Sequence, residues 1–335
     1  MTAPRRVVVT QRFFDPASIA HLEANGCEVV IADLPAGRAD GDLTQAELEE
    51  VLSGAAGWIV GHARVTRDLL SALPDLQVVS RRGVGYERID LDAVRDLGRV
   101  ACIAAGGNDA SVADHVIAMM LALARRFRES QDRMLANDWS ILMGSDLYRK
   151  TVGIVGLGRI GRSVAQRLQG FEADILVHSP GFDVEDVGGR MTPVGLDELL
   201  ARSDYVTLHA PLTAETRFLI DAAGLARMKP TAFLINAARG GLVDDRALLE
   251  ALTTGRLAGA GLDTFVSEGD SDFRPVSQAL LALPNVVATP HAAASSHEGL
   301  DRTNRVAAMS VVAVLDGGTP PAACVVADGR FRVSA

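Results

Sequence analysis

The stretch TVGIVGLGRIG at residues 151–161 constrains this chain more than any other, because an apolar run leads directly into Gly156-x-Gly158-x-x-Gly161 and then into a helical pattern. Gly156 permits a tight turn, Gly158 has no side chain to hold an anion off the backbone, and Gly161 lets the helix lie close to the strand. The helix N-terminus then presents unpaired N–H groups and a partial positive charge. The order strand, glycine turn, helix predicts a cradle for the pyrophosphate of a dinucleotide. The same spacing occurs in plain helix-capping loops, so the weight rests on the flanking elements rather than on the glycines alone.

With 335 residues the chain has room for two domains, each with its own core. A net charge of -9 argues against non-specific binding to nucleic acid or to an anionic membrane. Cys27, Cys102 and Cys324 are odd in number and widely spaced, which suggests neither a disulfide framework nor a zinc knuckle and points to a reducing compartment. The start MTAPRRVVVT enters a strand without an apolar signal region, and the run VIAMMLALA at 116–124 is too short to span a bilayer. A cytoplasmic location is expected.

Residues 5–105 alternate β-branched runs such as RRVVVT, EVVIA, GWIV and LQVVS with helical segments, the pattern of a parallel α/β sheet. A second alternation starts at the glycine turn and continues through ADILVHS, YVTLHA, TAFLINAA, LAGAGLDTF and NVVATP. The prediction is α/β, with two doubly wound parallel-sheet domains in tandem. A long helical stretch from Ser111 to about Ala136 reads as a connector whose apolar run is buried between domains or subunits, and 295–315 reads as a last helix.

Three strand ends in the second alternation carry chemistry. INAARGGLVDD at 235–245 ends a buried strand at Arg239, AGLDTFVSEGD at 260–270 offers Asp263 and Glu268, and VVATPHAAASS at 286–296 places His291 just past another strand. Ligands of such sheets bind outside the carboxyl ends of the strands. A guanidinium there can hold a carboxylate and an adjacent keto oxygen, and a carboxylate beside an imidazole can move a proton. Taken singly, Arg239 reads equally well as a surface residue, Glu268 as a loop carboxylate and His291 as a helix-terminal hydrogen-bonder; together they do not. His291 and His297 are wrongly spaced for one helix face, so no metal is expected. His115 reads as packing, and Trp139 equally as a core anchor or as part of a subunit-contacting arm.

These segments, with RRGVGYERIDLDAV at 81–94, SVADHVIAMMLALAR at 111–125 and HAPLTAETRFLI at 209–220, give a chain that resembles the D-isomer-specific 2-hydroxyacid dehydrogenases along essentially its whole length. The resemblance implies a Rossmann cofactor domain over 103–292 and a flavodoxin-like substrate domain from 1–102 and 293–335. It implies hydride transfer between a nicotinamide cofactor and a D-2-hydroxy acid/2-oxo acid pair, with Arg239, Glu268 and His291 catalytic. His291 would handle the proton, Glu268 would orient the ring and favour its charged form, and Arg239 would clamp the substrate. The cofactor set would be Gly156, Gly158, Arg159, Ile160, Gly161, Ser179, His209, Pro211, Thr216, Ala237, Arg239, Asp263 and His291, with Asp263 accepting from the nicotinamide carboxamide. The substrate set would be His62, Arg82, Gly83, Val84, Gly85 and Arg239. The partner is a small 2-oxo or 2-hydroxy acid, with a homodimer formed through 116–124 and the arm around Trp139.

Departures from the family pattern fall at the coenzyme and substrate ends. The acidic residue expected after the second cofactor strand is replaced by Ser179, and His178-Ser179-Pro180-Gly181-Phe182-Asp183 holds no guanidinium, so NAD is expected with NADP possible. The first-domain loop reads VGHARVT, where His62, Arg64 or Arg82 would substitute for the usual carboxylate-binding arginine. The alternative to an enzyme is a dinucleotide-sensing, corepressor-like interaction protein of the same fold.

Overall fold

Short apolar runs closed by side-chain caps build both halves of the computed structural model, which describes residues 5–180 and 191–331. One compact unit takes in residues 1–108 and 295–335, and the other residues 109–294.

The first unit runs β1 (Arg5–Val9), α1 (Pro16–Ala24), β2 (Cys27–Ile31), α2 (Gln45–Val51), β3 (Gly57–Val60), α3 (Arg67–Ala72), β4 (Val78–Arg81), α4 (Leu91–Asp96) and β5 (Val100–Ile103). The second holds α5 (Asp109–Ala124), α6 (Phe127–Leu135), β6 (Thr151–Val155), α7 (Arg159–Leu168), β7 (Asp174–His178), β8 (Met191–Pro193), α8 (Leu196–Arg202), β9 (Tyr205–Leu208), α9 (Ala222–Arg227), β10 (Phe233–Asn236), α10 (Asp245–Thr253), β11 (Gly259–Leu262), α11 (Arg274–Ala282) and β12 (Val286–Ala288). The chain then returns to the first unit with α12 (His297–Leu315) and β13 (Val325–Asp328).

In the first unit the strand order is β2-β1-β3-β4-β5-β13, parallel except for β13, which runs antiparallel to β5. The first five strands give the flavodoxin-like winding. Helix starts are set locally: Thr66 accepts from the Leu69 amide, Asp90 from that of Ala93, and Thr44 and Glu47 cap each other reciprocally.

In the second unit the order is β8-β7-β6-β9-β10-β11-β12, all parallel, with the Rossmann reversal between β6 and β9. The apolar run 116–124 belongs to α5, and it is not held back for a subunit or domain boundary. Val116, Met119 and Met120 are buried in this unit's own core with Val152, Ile154, Tyr205 and Ile235. Each such side chain contributes roughly 1.5–3 kcal/mol of burial to this unit. The glycines of AGAGL explain the fit, because a Cβ at Gly261 would stand 3.1 Å from Met119 Cβ.

The expected single connector helix is two. Arg126 adopts φ 52, ends the path of α5 and starts α6, with its guanidinium paired to Glu129 at 2.6 Å. A non-glycine residue in that conformation leaves no trace in an apolar pattern. Among the described residues no helix is long and apolar enough to cross a membrane.

Candidate active site

The turn after β6 has the geometry its glycines suggest. Gly156 has φ 96, and a Cβ there would meet the His209 carbonyl carbon at 2.7 Å, so only glycine lets the β6 and β9 loops touch. A Cβ on Gly161 would sit 2.2 Å from the Gly156 oxygen, which explains why α7 can begin so close to the strand. Gly158 differs: a Cβ there would enter open space. Gly158 caps α7 without any side-chain hydrogen bond, leaving the helix N-terminus to an anion. This cradle fits the pyrophosphate of a dinucleotide.

Around it, Arg159 is exposed and Ile160 half-buried at the start of α7. Ser179, just beyond β7, accepts from the Leu157 amide at 3.1 Å, so its hydroxyl braces the glycine turn and keeps its hydrogen to donate outward. Asp183 lies outside the described residues. Burial pushes the His209 imidazole down to about 4, which makes it neutral, and Thr207 Oγ1 lies 3.0 Å from its Nε2. Thr216 donates from Oγ1 to the Pro211 carbonyl at 2.7 Å, shaping the following loop. Ala237 is buried behind the end of β10.

The carboxyl ends of β10, β11 and β12 bring the other residues together. Asn236 Nδ2 donates to the Arg239 carbonyl and Asn236 Oδ1 accepts from the Ala238 amide, folding the chain so that the Arg239 turn follows the strand. Gly240 then passes so near the Phe265 carbonyl that a Cβ would lie 2.0 Å from it, which draws this turn against the loop of Glu268. Glu268 Oε1 accepts from the Phe265 amide at 2.8 Å, and Oε2 lies 2.6 Å from His291 Nδ1. Burial pushes the Glu268 carboxyl up, but the hydrogen bond and charge of His291, the Phe265 amide and the charge of Arg239 together bring it below its ordinary range. Both partners of the pair reach the surface of this unit. The arrangement can hold an imidazole by Nδ1 while Nε2 exchanges a proton outward.

Asp263 is fully buried. Its carboxylate accepts from the Ala292 amide at 2.7 Å and the Ala293 amide at 3.0 Å, and its carbonyl accepts from the His291 amide at 2.8 Å. His291 itself has φ 54, a left-handed backbone that a residue with a Cβ adopts only when its surroundings impose it. Nothing in the sequence spacing announced this clamp.

In the first unit, His62 and Arg82 line a cavity of about 630 Å³ at the ends of β1, β3 and β4. Arg82 donates to Gln11 Oε1 at 2.9 Å and to the Arg12 carbonyl at 2.7 Å, and burial lowers its pKa. The His62 amide donates to Asp40 Oδ1 at 2.8 Å, while Asp40 Oδ2 takes Thr10, Gln11 and the Gly61 amide. Buried Asp40 therefore shapes the loop of His62, a role that its place in the run GRADGDL does not reveal. Arg64 is exposed, and Gly83, Val84 and Gly85 form the turn after β4, tied by the Ala104 amide on the Gly83 carbonyl.

Residues 117–293 match the family model described as D-isomer specific 2-hydroxyacid dehydrogenase, NAD binding domain. The chain belongs to this family. It is 39% identical over 301 residues to glyoxylate/hydroxypyruvate reductase B of Pectobacterium carotovorum, covering 86% of this chain and 93% of that one. It is also 39% identical over 270 residues to D-3-phosphoglycerate dehydrogenase of Mycobacterium bovis, covering 79% of this chain and 50% of that protein, so it spans about half the length of that relative. Among solved structures, the TT0316 protein of Thermus thermophilus superposes with a TM-score of 0.85 at 35% identity, covering 96% of this chain and 99% of that one. NAD is the cofactor of this family's cofactor domain.

Proposed function

We propose that the chain is an NAD-dependent dehydrogenase that interconverts a D-2-hydroxy acid and its 2-oxo acid. The observation that carries this reading is the 2.6 Å pairing of His291 Nδ1 with Glu268 Oε2, past the ends of β12 and β11, next to β10, whose end carries Arg239. Nicotinamide, when bound, supplies the hydride chemistry. His291 gives a proton from Nε2 to the C2 oxygen in reduction and takes it back in oxidation. Glu268 holds the ring by Nδ1. Arg239 offers a planar fork to the carboxylate and C2 oxygen, positioning the acid and stabilising charge that develops on oxygen.

The dinucleotide is assigned to Gly156, Gly158, Arg159, Ile160, Gly161, Ser179, His209, Pro211, Thr216 and Ala237. Asp263 Oδ2 accepts from the Ala293 amide and has capacity for one more donor, which suits a carboxamide. The substrate's remaining groups are assigned to His62, Arg82, Gly83, Val84 and Gly85 in the first unit. The second unit is accordingly the cofactor domain and the first the substrate domain. A cytoplasmic location agrees with three buried free thiols. A homodimer agrees with the exposed apolar side chains of α6 and the segment after it, where Leu135 is 76% and Trp139 73% exposed. No observation favours the corepressor-like reading.

The direct test is a panel of 2-oxo acids, including glyoxylate, hydroxypyruvate and pyruvate, incubated with NADH or NADPH while cofactor absorbance is followed. Turnover of at least one acid with NADH is expected. Silence across the panel, with NADH binding intact, would contradict an enzymatic role.

A further inference from the structure

His115 stands on α5, inside the second unit, with Nε2 2.9 Å from Thr289 Oγ1. Thr289 in turn donates from Oγ1 to Asp263 Oδ1 at 2.5 Å. A threonine hydroxyl has a single hydrogen. With that hydrogen committed to the carboxylate, the His115 contact requires Nε2 to be the donor, which assigns the ring tautomer. The chain of contacts therefore runs one way, from His115 to Thr289 to Asp263, and ends on the amides of Ala292 and Ala293.

That end point matters because of the backbone beside it. His291 has φ 54, a backbone that a residue with a Cβ adopts only when its surroundings hold it there. Asp263 holds it there by accepting from three successive amides, that of His291 on its backbone carbonyl and those of Ala292 and Ala293 on its carboxylate. The carboxylate reaches the Ala292 and Ala293 amides only in one rotamer. The Thr289 hydroxyl selects that rotamer, and His115 selects the direction of the hydroxyl.

We propose that His115 is a positioning residue for His291, acting through Thr289 and Asp263 to hold the Ala292 and Ala293 amides beside the strained His291 backbone that aims the imidazole at the substrate. Its catalytic consequence rests on His291 being the acid–base residue, whereas the clamp itself does not.

Two pairs of variants test it. Thr289→Val and His115→Leu each remove one link, while Thr289→Ser and His115→Gln each keep a donor at the same place. Hydrogen exchange on the cofactor-free chain reads the clamp: the amides of Ala292 and Ala293 should exchange about tenfold faster or more in the first pair and close to the parent in the second. Turnover reads the consequence: kcat for 2-oxo acid reduction at saturating NADH should fall about ten- to a hundredfold in the first pair and recover in the second. A merely structural defect would lower the melting temperature and speed exchange throughout the second unit rather than at the Ala292 and Ala293 amides.

Parent-like exchange in both Thr289→Val and His115→Leu overturns the proposal whatever their turnover. Faster exchange with parent-like kcat overturns it too, given a His291→Ala control that is inactive. Should that control turn over like the parent, the acid–base assignment has failed and exchange alone decides the clamp. If His115→Leu does not fold, the near-isosteric Thr289→Val carries the test.

Discussion

Glu268 Oε2 lies 2.6 Å from His291 Nδ1, while Oε1 of the same carboxylate is held at 2.8 Å by the Phe265 amide. The carboxylate is thus anchored to its own loop and cannot follow the imidazole, so it fixes the ring instead. Glu268→Gln keeps the shape and removes the charge. Reduction should then fall roughly ten- to a hundredfold in kcat, because the amide no longer holds the imidazole by a charged contact at Nδ1. Steady-state reduction at saturating NADH checks this, and a parent-like kcat would count against the pairing.

Asp245, at the start of α10 and 2% exposed, is a second carboxyl near this loop. Burial raises its pKa to about 6, with Asp244 and Glu268 adding to the rise against the Val266 amide that it accepts. A folded-state pKa above the unfolded one gives stability that is present below the unfolded value and lost as pH rises through the folded one. The parent should therefore lose about 3 kcal/mol from this group between about pH 4 and pH 7. Asp245→Asn can still accept from Val266 and should not show that loss. Urea unfolding of both proteins across this range measures the difference, and parallel curves would refute it.

Ser179 braces Leu157 and repels no phosphate, unlike a carboxylate at the same strand end. The parent should use NAD with incomplete discrimination against NADP. Ser179→Asp should raise the kcat/KM ratio of NAD over NADP by roughly tenfold, about 1.4 kcal/mol. A parent that strongly favours NADPH would show that a basic residue elsewhere reaches the 2′-phosphate.

Trp139, Ile141 and Met143 are 73%, 89% and 82% exposed on a segment without helix or strand. A second copy burying them isologously explains an apolar surface of this kind. Light scattering should give a dimer for the parent and a monomer for the double variant Trp139→Asp, Ile141→Asp. A parent that stays monomeric across a concentration series would contradict the dimer.

The parts of the fold legible in the sequence were those with a local cause. Gly161 is forced by a backbone approach within one strand-turn-helix unit and Gly156 by the positive φ of that turn, and the apolar runs mark most strands, though not β8 or β13. Arg239, Glu268 and His291 stood out as a set at successive strand ends, since each alone has an ordinary structural reading. What stayed hidden depends on three dimensions. The run 116–124 shows that a face is buried but not against what, and the break at Arg126 comes from a left-handed residue that composition does not favour. His115 and Thr289 are 174 residues apart, so no spacing could join them, and buried Asp40 looks like one more acid in a polar loop.

The central claim is that His291 moves the proton. Stopped-flow and steady-state reduction of an active 2-oxo acid by NADH should show His291→Ala reducing kcat by about a thousandfold or more, with the NADH dissociation constant little changed. Turnover by His291→Ala comparable to the parent at saturating substrate would contradict it.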